Sequence, residues 1–145
     1  MSDFQPEALP PAPADQTRSA RFLLLTSLQL ERGAGEIHCR VQLAGPNKTY
    51  HGEAHELDSP SGRARAAARA TLAAAEQVEG GINLGLEGVA IVDLFSRSYV
   101  VVSVEAVYNR QFALLAGIVT LETTRSVEDA AVLATLRAID RWIAR

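Results

Sequence analysis

A chain of 145 residues, 48% apolar and 21% charged, has the size and make-up of one globular domain with a single core. Its formal net charge of −3 excludes bulk attraction to nucleic acid or to an anionic membrane surface. Charges or turn residues interrupt every apolar run before it reaches bilayer-spanning length, so no membrane partner is expected. The start of the chain lacks the pattern of a secretory signal, and the one cysteine, Cys39, can form no internal disulfide. Both features point to a reducing cytoplasm.

Residues 1 to 19 read as a tail. Pro6, Pro10, Pro11 and Pro13 stand among Ala, Asp, Glu and Gln, a composition with little apolar surface to bury. Such a tail is either a disordered leader or a docking peptide for a protein partner, with Phe4 and Leu9 as anchors. Residues 20 to 145 read as a single α+β domain. From Phe22 the apolar residues continue at Leu24, Leu28 and Leu30, with Ser27, Gln29 and Glu31 on the other parity, which predicts a strand. Arg32 to Gly35 turns the chain.

Glu36 to Ala44 alternates, with Ile37, Cys39, Val41 and Leu43 on one side and His38, Arg40 and Gln42 on the other. Gly45-Pro46-Asn47 turns, and Lys48 to Leu57 returns as a strand. Pairing Ala44 with Thr49 sets Gln42 opposite His51, Arg40 opposite Glu53 and His38 opposite His55. This register gathers the apolar groups on one face and leaves the other wet. Ser59 then caps a helix with Pro60 at its first position, running to about Val78 on a stripe of Ala64, Ala68, Leu72, Ala75 and Val78.

Ile82 to Phe95 reads as a strand with a bulge or bend near Gly85 and Gly88. Ser96 to Ser98 turns. A second hairpin follows, Tyr99 to Val107 and Gln111 to Glu122. Ser126, with Asp129 three residues on, caps a final helix on a stripe of Val132, Leu136, Ile139 and Ile143.

The halves repeat. Ala70-Thr71-Leu72 recurs as Ala134-Thr135-Leu136, and Gly52 recurs as Gly117. The expected fold is a two-layer α+β domain built from a duplicated βββα unit, about residues 20–80 and 82–145, its antiparallel sheet carrying two helices on one face. In the second hairpin both parities are apolar, and the chain has no third helix to cover the extra face. A second subunit would cover it, giving a twofold homodimer with Tyr99, Val101, Ser103, Leu115 and Val119 at the interface. The alternative cover is the tail or the first strand.

The run Tyr99-Val-Val-Val-Ser-Val, the pair Ala116-Gly117 and the helix Ser126 to Arg141 resemble the C-terminal allosteric domain of the 2-isopropylmalate synthase and citramalate synthase family. The likeness spans roughly residues 36 to 145. The family's glycine-rich loop before the first helix is replaced here by Leu57-Asp-Ser-Pro-Ser-Gly62, and the catalytic barrel is absent. The resemblance implies a pairing and effector-binding module that takes an amino acid or similar small molecule near the helix starts.

The free backbone N–H groups at those starts can hold a carboxylate or phosphate, which makes Ser59, Ser61, Gly62, Arg63, Arg125 and Ser126 the candidate ligand-binding residues. His38, His55 and Glu53 are the weak candidates for a metal, although no Cys or Asp completes a first shell. No Ser–His–Asp spacing, P-loop or dinucleotide fingerprint is present, so no catalytic residue and no cofactor are expected. The sequence reads as a non-catalytic small-molecule-binding or regulatory module acting as a homodimer. The alternative is a scaffold subunit that recruits a protein partner through its tail or sheet surface.

Overall fold

A computed structural model describes residues 22–143. The expectations for the tail, including Phe4 and Leu9, lie outside these residues. Six strands and two helices follow in the order β1 (Leu24–Gly33), β2 (Glu36–Ala44), β3 (Thr49–Leu57), α1 (Pro60–Ala75), β4 (Asn83–Leu94), β5 (Arg97–Tyr108), β6 (Gln111–Thr120) and α2 (Val127–Ile143). A single 3-10 turn, Glu76–Val78, extends α1. The fold is α+β, and the order βββα occurs twice.

The strands form two antiparallel sheets, β1-β2-β3 and β4-β5-β6, where one was expected. The helices join them. α1 packs on β2 and β3, on α2, and across on β4; α2 packs on β5 and β6. This enclosure explains why α1 buries far more than a stripe: Ala64, Ala66, Ala67, Ala68, Ala70, Ala74 and Ala75 are all out of contact with water. Small side chains on nearly every face let the helix touch two sheets and a second helix at once.

The register of the first hairpin is the expected one along its whole length, from Ala44 opposite Thr49 to Ile37 opposite Glu56. β1 departs from expectation. A bulge between Leu25 and Ser27 sets Thr26 aside, so the inward parity changes within the strand. Leu23 is fully buried and Leu25 faces the core, whereas Leu24, expected inside, is exposed. The β4 bulge falls between Leu86 and Gly88, where the glycines predicted it. The turn after β4 is Phe95-Ser96, one residue earlier than expected. Both residues have positive φ (56° and 61°), as do Asn109 and Arg110 in the next hairpin. Two such residues in succession match the right-handed twist of the flanking strands.

The duplication extends to single atoms. Thr71 and Thr135 are both buried, and each hydroxyl donates to the carbonyl four residues back, Ala67 and Ala131, at 2.7 Å in both cases. The bulges at Thr26 and Glu87 are the same distance before Val41 and Val102 on the paired strand. At the far ends of the helices two carboxylates exchange partners. Glu76 of the first repeat accepts from the Leu84 N–H at the start of β4 (2.7 Å), and Asp140 of the second accepts from Phe22 and Leu23 before β1 (2.7 and 3.3 Å). Each repeat thus anchors the first strand of the other, the reciprocity of a pseudo-twofold axis.

Candidate functional site

Both helix starts, where a ligand was expected, are capped by their serines. Ser59 accepts from the Gly62 N–H at 2.9 Å, and Ser126 accepts from the Asp129 N–H at 3.0 Å, so both predicted caps form. Gly62 has a structural reason to be glycine, since an added Cβ would meet the Leu57 carbonyl. Ser61 is exposed. The fold brings the two starts together through an ion pair that no local pattern of residues encodes. Arg63 of α1 lies 2.9 Å from Glu128 of α2 and 2.9 Å from Asp58. Glu128 is only 6% exposed. Arg125 donates to the Thr120 carbonyl at 3.4 Å and stands 4.0 Å from Asp129.

Arg63, expected to help receive an anion, is therefore already paired with the protein's own carboxylates, Asp58 and Glu128. A carboxylate beside a helix N-terminus is favoured by the free N–H groups and the helix dipole. Here the chain supplies that charge itself.

Cys39 lies beneath this junction, fully buried. Removal from water, and next the negative charge of Glu128, push its thiol from the usual 9.0 up to about 12. A neutral thiol is a poor nucleophile. We expect the native chain to leave Ellman's reagent unreacted at pH 8 and to react stoichiometrically in denaturant. Because the folded state holds the proton more tightly than the unfolded state, folding stability falls as pH rises from 9.0 towards about 12.

The outer face of β1-β2-β3 is polar. The rings of His38 and His55 stack with centroids 4.2 Å apart and planes 7° from parallel. Since a carboxylate only accepts, His38 Nε2 donates to Glu53 at 2.7 Å. Its Nδ1 lies 3.5 Å from Glu31, and Arg40 stands 3.8 Å from Glu31 and 4.0 Å from Glu53. His38, His55 and Glu53 are therefore together, as the register required. However, stacked imidazoles aim their in-plane lone pairs along parallel planes, and a tetrahedral ion needs them to converge. Among the described residues no group of three His, Cys, Asp or Glu side chains is arranged to hold a metal ion. Next to the cluster, Ser27, Gln29, Arg40, Gln42, His51 and Glu53 line a recess of ≈ 240 Å³.

The outer face of β4-β5-β6 is the opposite in character. Register sets Tyr99 opposite Thr120, Val101 opposite Ile118 and Ser103 opposite Ala116. The three β5 residues lie on the outward face, as expected, with Ser103 bonded to Glu87 at the bulge. Leu115 and Val119 do not. They pair with Val104 and Val100 on the helix-facing side, and Val119 is 2% exposed. The outward residues of β6 are Phe112, Leu114, Ala116 and Ile118; of these Phe112, Leu114 and Ile118 are 60%, 59% and 46% exposed. The repeat held the signal for this correction. Gly117 corresponds to Gly52, which packs against its helix, so the odd-numbered residues of β6 had to face inward.

No described helix is long and apolar enough to cross a membrane. The fold and faces define the class of this protein: a duplicated βββα domain with one polar and one apolar sheet surface. No protein-family model matches the chain, and no curated protein sequence matches it.

Proposed function

We propose that this chain is a non-catalytic regulatory module that works as a homodimer, its subunits joined through the outer face of β4-β5-β6. The observation that carries this reading is the contrast between two copies of one unit. The first copy surrounds its outer face with His38, Arg40, Glu53 and His55. The second exposes Phe112, Leu114 and Ile118 beside Tyr99 and Val101. Contiguous exposed apolar surface of this kind marks an interface, and a twofold pairing covers it with its own equivalent. The resemblance to the allosteric domain of the 2-isopropylmalate synthase family supports the same role.

A small-molecule effector on this reading binds away from the helix starts, because Arg63 there is already paired with Asp58 and Glu128. The recess beside Arg40, Gln42 and His51 offers it hydrogen-bonding groups and a cation. The outward face is tested by Leu114→Glu with Ile118→Glu. The variant is expected to keep its circular dichroism spectrum and to fall to the mass of a single chain in light scattering. A variant that retains the mass of a pair removes this face from the interface.

A further inference from the structure

The two repeats differ at the free edge of their last strand. In the first repeat the helix covers that edge. Gln77 donates to the His51 carbonyl of β3 at 2.6 Å, and Arg69 donates to the His55 carbonyl at 3.0 Å. In the second repeat Arg137 donates to the Ile118 carbonyl of β6 at 2.9 Å, and Arg125 donates to the Thr120 carbonyl at 3.4 Å. Arg141 occupies the position of Gln77, and Ala116 that of His51, but no bond joins them. Successive residues of an antiparallel strand turn their backbone groups to alternate sides. The Leu121 N–H bonds to the Ser98 carbonyl of β5, so odd-numbered residues of β6 face β5 and even-numbered ones face the free edge. Among the described residues no hydrogen bond reaches the edge-facing N–H or C=O of Leu114 or Ala116.

Between this edge and α2 lies a groove of ≈ 640 Å³, lined in part by Leu114, Leu115, Ala116, Arg137 and Arg141. Both arginines are exposed, and among the described residues neither forms an ion pair. They stand one helical turn apart, a spacing of about 6 Å between side chains on one face. Alternate residues of an extended strand repeat at about 6.6 Å on one side, so two of its side chains match the two arginines. The side chains between them would point to the other side, where Leu114 and Ile118 are exposed. A second copy of β6 does not fit this edge, because it would bring the same two arginines against their equivalents.

We infer that the free edge of β6 accepts one antiparallel strand from a partner protein, an extended segment with acidic and apolar side chains in alternation. Its backbone bonds to Leu114 and Ala116. Its carboxylates turn towards α2 and pair with Arg137 and Arg141, and its apolar side chains continue the outer face beside Leu114 and Ile118. Strand addition supplies the affinity, and the two arginines select the acidic partner.

The probe is a fluorescein-labelled Glu-Val-Glu-Val-Glu peptide, capped at both ends, whose anisotropy is followed on addition of the full-length chain. It is expected to bind, and the Lys-Val-Lys-Val-Lys peptide is not. Arg141→Glu is expected to weaken binding by about tenfold, the loss of one charge-assisted contact. Arg137→Glu with Arg141→Glu is expected to reverse the preference and take the lysine peptide. In an antiparallel addition the residues bonded to β6 are the valines, opposite Leu114 and Ala116. Methylating the valine amide nitrogens is therefore expected to abolish binding. Ala116→Pro removes an edge-facing N–H and leaves the bonds to β5 intact, so it is expected to abolish binding with unchanged circular dichroism. Equal binding of the acidic and basic peptides overturns the inference, as does undiminished binding of the methylated peptide. A fall in the native chain's mass caused by Ala116→Pro also overturns it, because a second copy then holds the edge.

Discussion

Gly117→Ala is expected to cost about 3 to 5 kcal/mol, a large share of the roughly 5 to 15 kcal/mol that holds a single domain folded. A Cβ at this position would lie 1.9 Å from the Ala134 carbonyl oxygen and 2.8 Å from the Ala138 nitrogen. Both obstacles are helix backbone, so no side-chain rotation relieves the clash. The helix has to move away from β6, and the layer of alanines that fits it against the strand loses contact along its length. Gly52→Ala is expected to match it, because its Cβ would meet Ala70 at 2.0 Å and Ala74 at 2.5 Å in the same arrangement. The internal control is Gly33→Ala, where nothing stands within 4 Å of the added carbon and stability is expected to change by less than about 1 kcal/mol. Chemical denaturation of the three variants checks the prediction. A Gly117→Ala chain as stable as Gly33→Ala would show that the helices are not seated on these glycines.

The second large effect belongs to Arg63. Its guanidinium bridges Asp58 and the buried Glu128, joining the start of α1 to the start of α2. Arg63→Met removes the cation and leaves the Glu128 carboxylate buried without its partner. Breaking one side of a buried pair costs about 3 to 5 kcal/mol; the partial exposure of Arg63 places the expected loss at about 2 to 4 kcal/mol. The double variant Arg63→Met with Glu128→Leu is expected to recover most of it, since an apolar pair of similar volume leaves no charge stranded. Equal losses in the single and double variants would place the arginine's contribution elsewhere, in its bond to Asp58.

Much of this arrangement was legible in the sequence, and the failures have physical causes. The first hairpin could be registered because one face is polar and the other apolar, so a slip by one residue would have buried His38, Arg40 and Glu53. Both helix caps were readable because a serine at the N-cap acts locally, on an N–H three residues along. β1 was misread because its bulge has no glycine to mark it; Thr26 breaks the alternation unannounced, and Leu24 looked as apolar as its buried neighbours. β6 carries apolar residues on both parities, so hydrophobicity alone does not separate its faces. Only the correspondence of Gly117 with Gly52 does. The Arg63–Glu128 pair joins residues far apart in the chain, and no local pattern encodes it.

The same comparison explains how one unit came to present two surfaces. The inward-facing residues of the repeats match closely: the glycine under each helix, the hydroxyl of Thr71 or Thr135, the carboxylate that ties the other repeat's first strand. The outward residues do not match. Packing constrains the shared interior, whereas each outer face answers only to what it meets.

That second, apolar face is the centre of the account, and the mass of the native chain in solution tests it most directly. Light scattering on the full-length protein is predicted to give twice 15.6 kDa across a range of concentrations. A mass of 15.6 kDa throughout would contradict the pairing of this chain with itself.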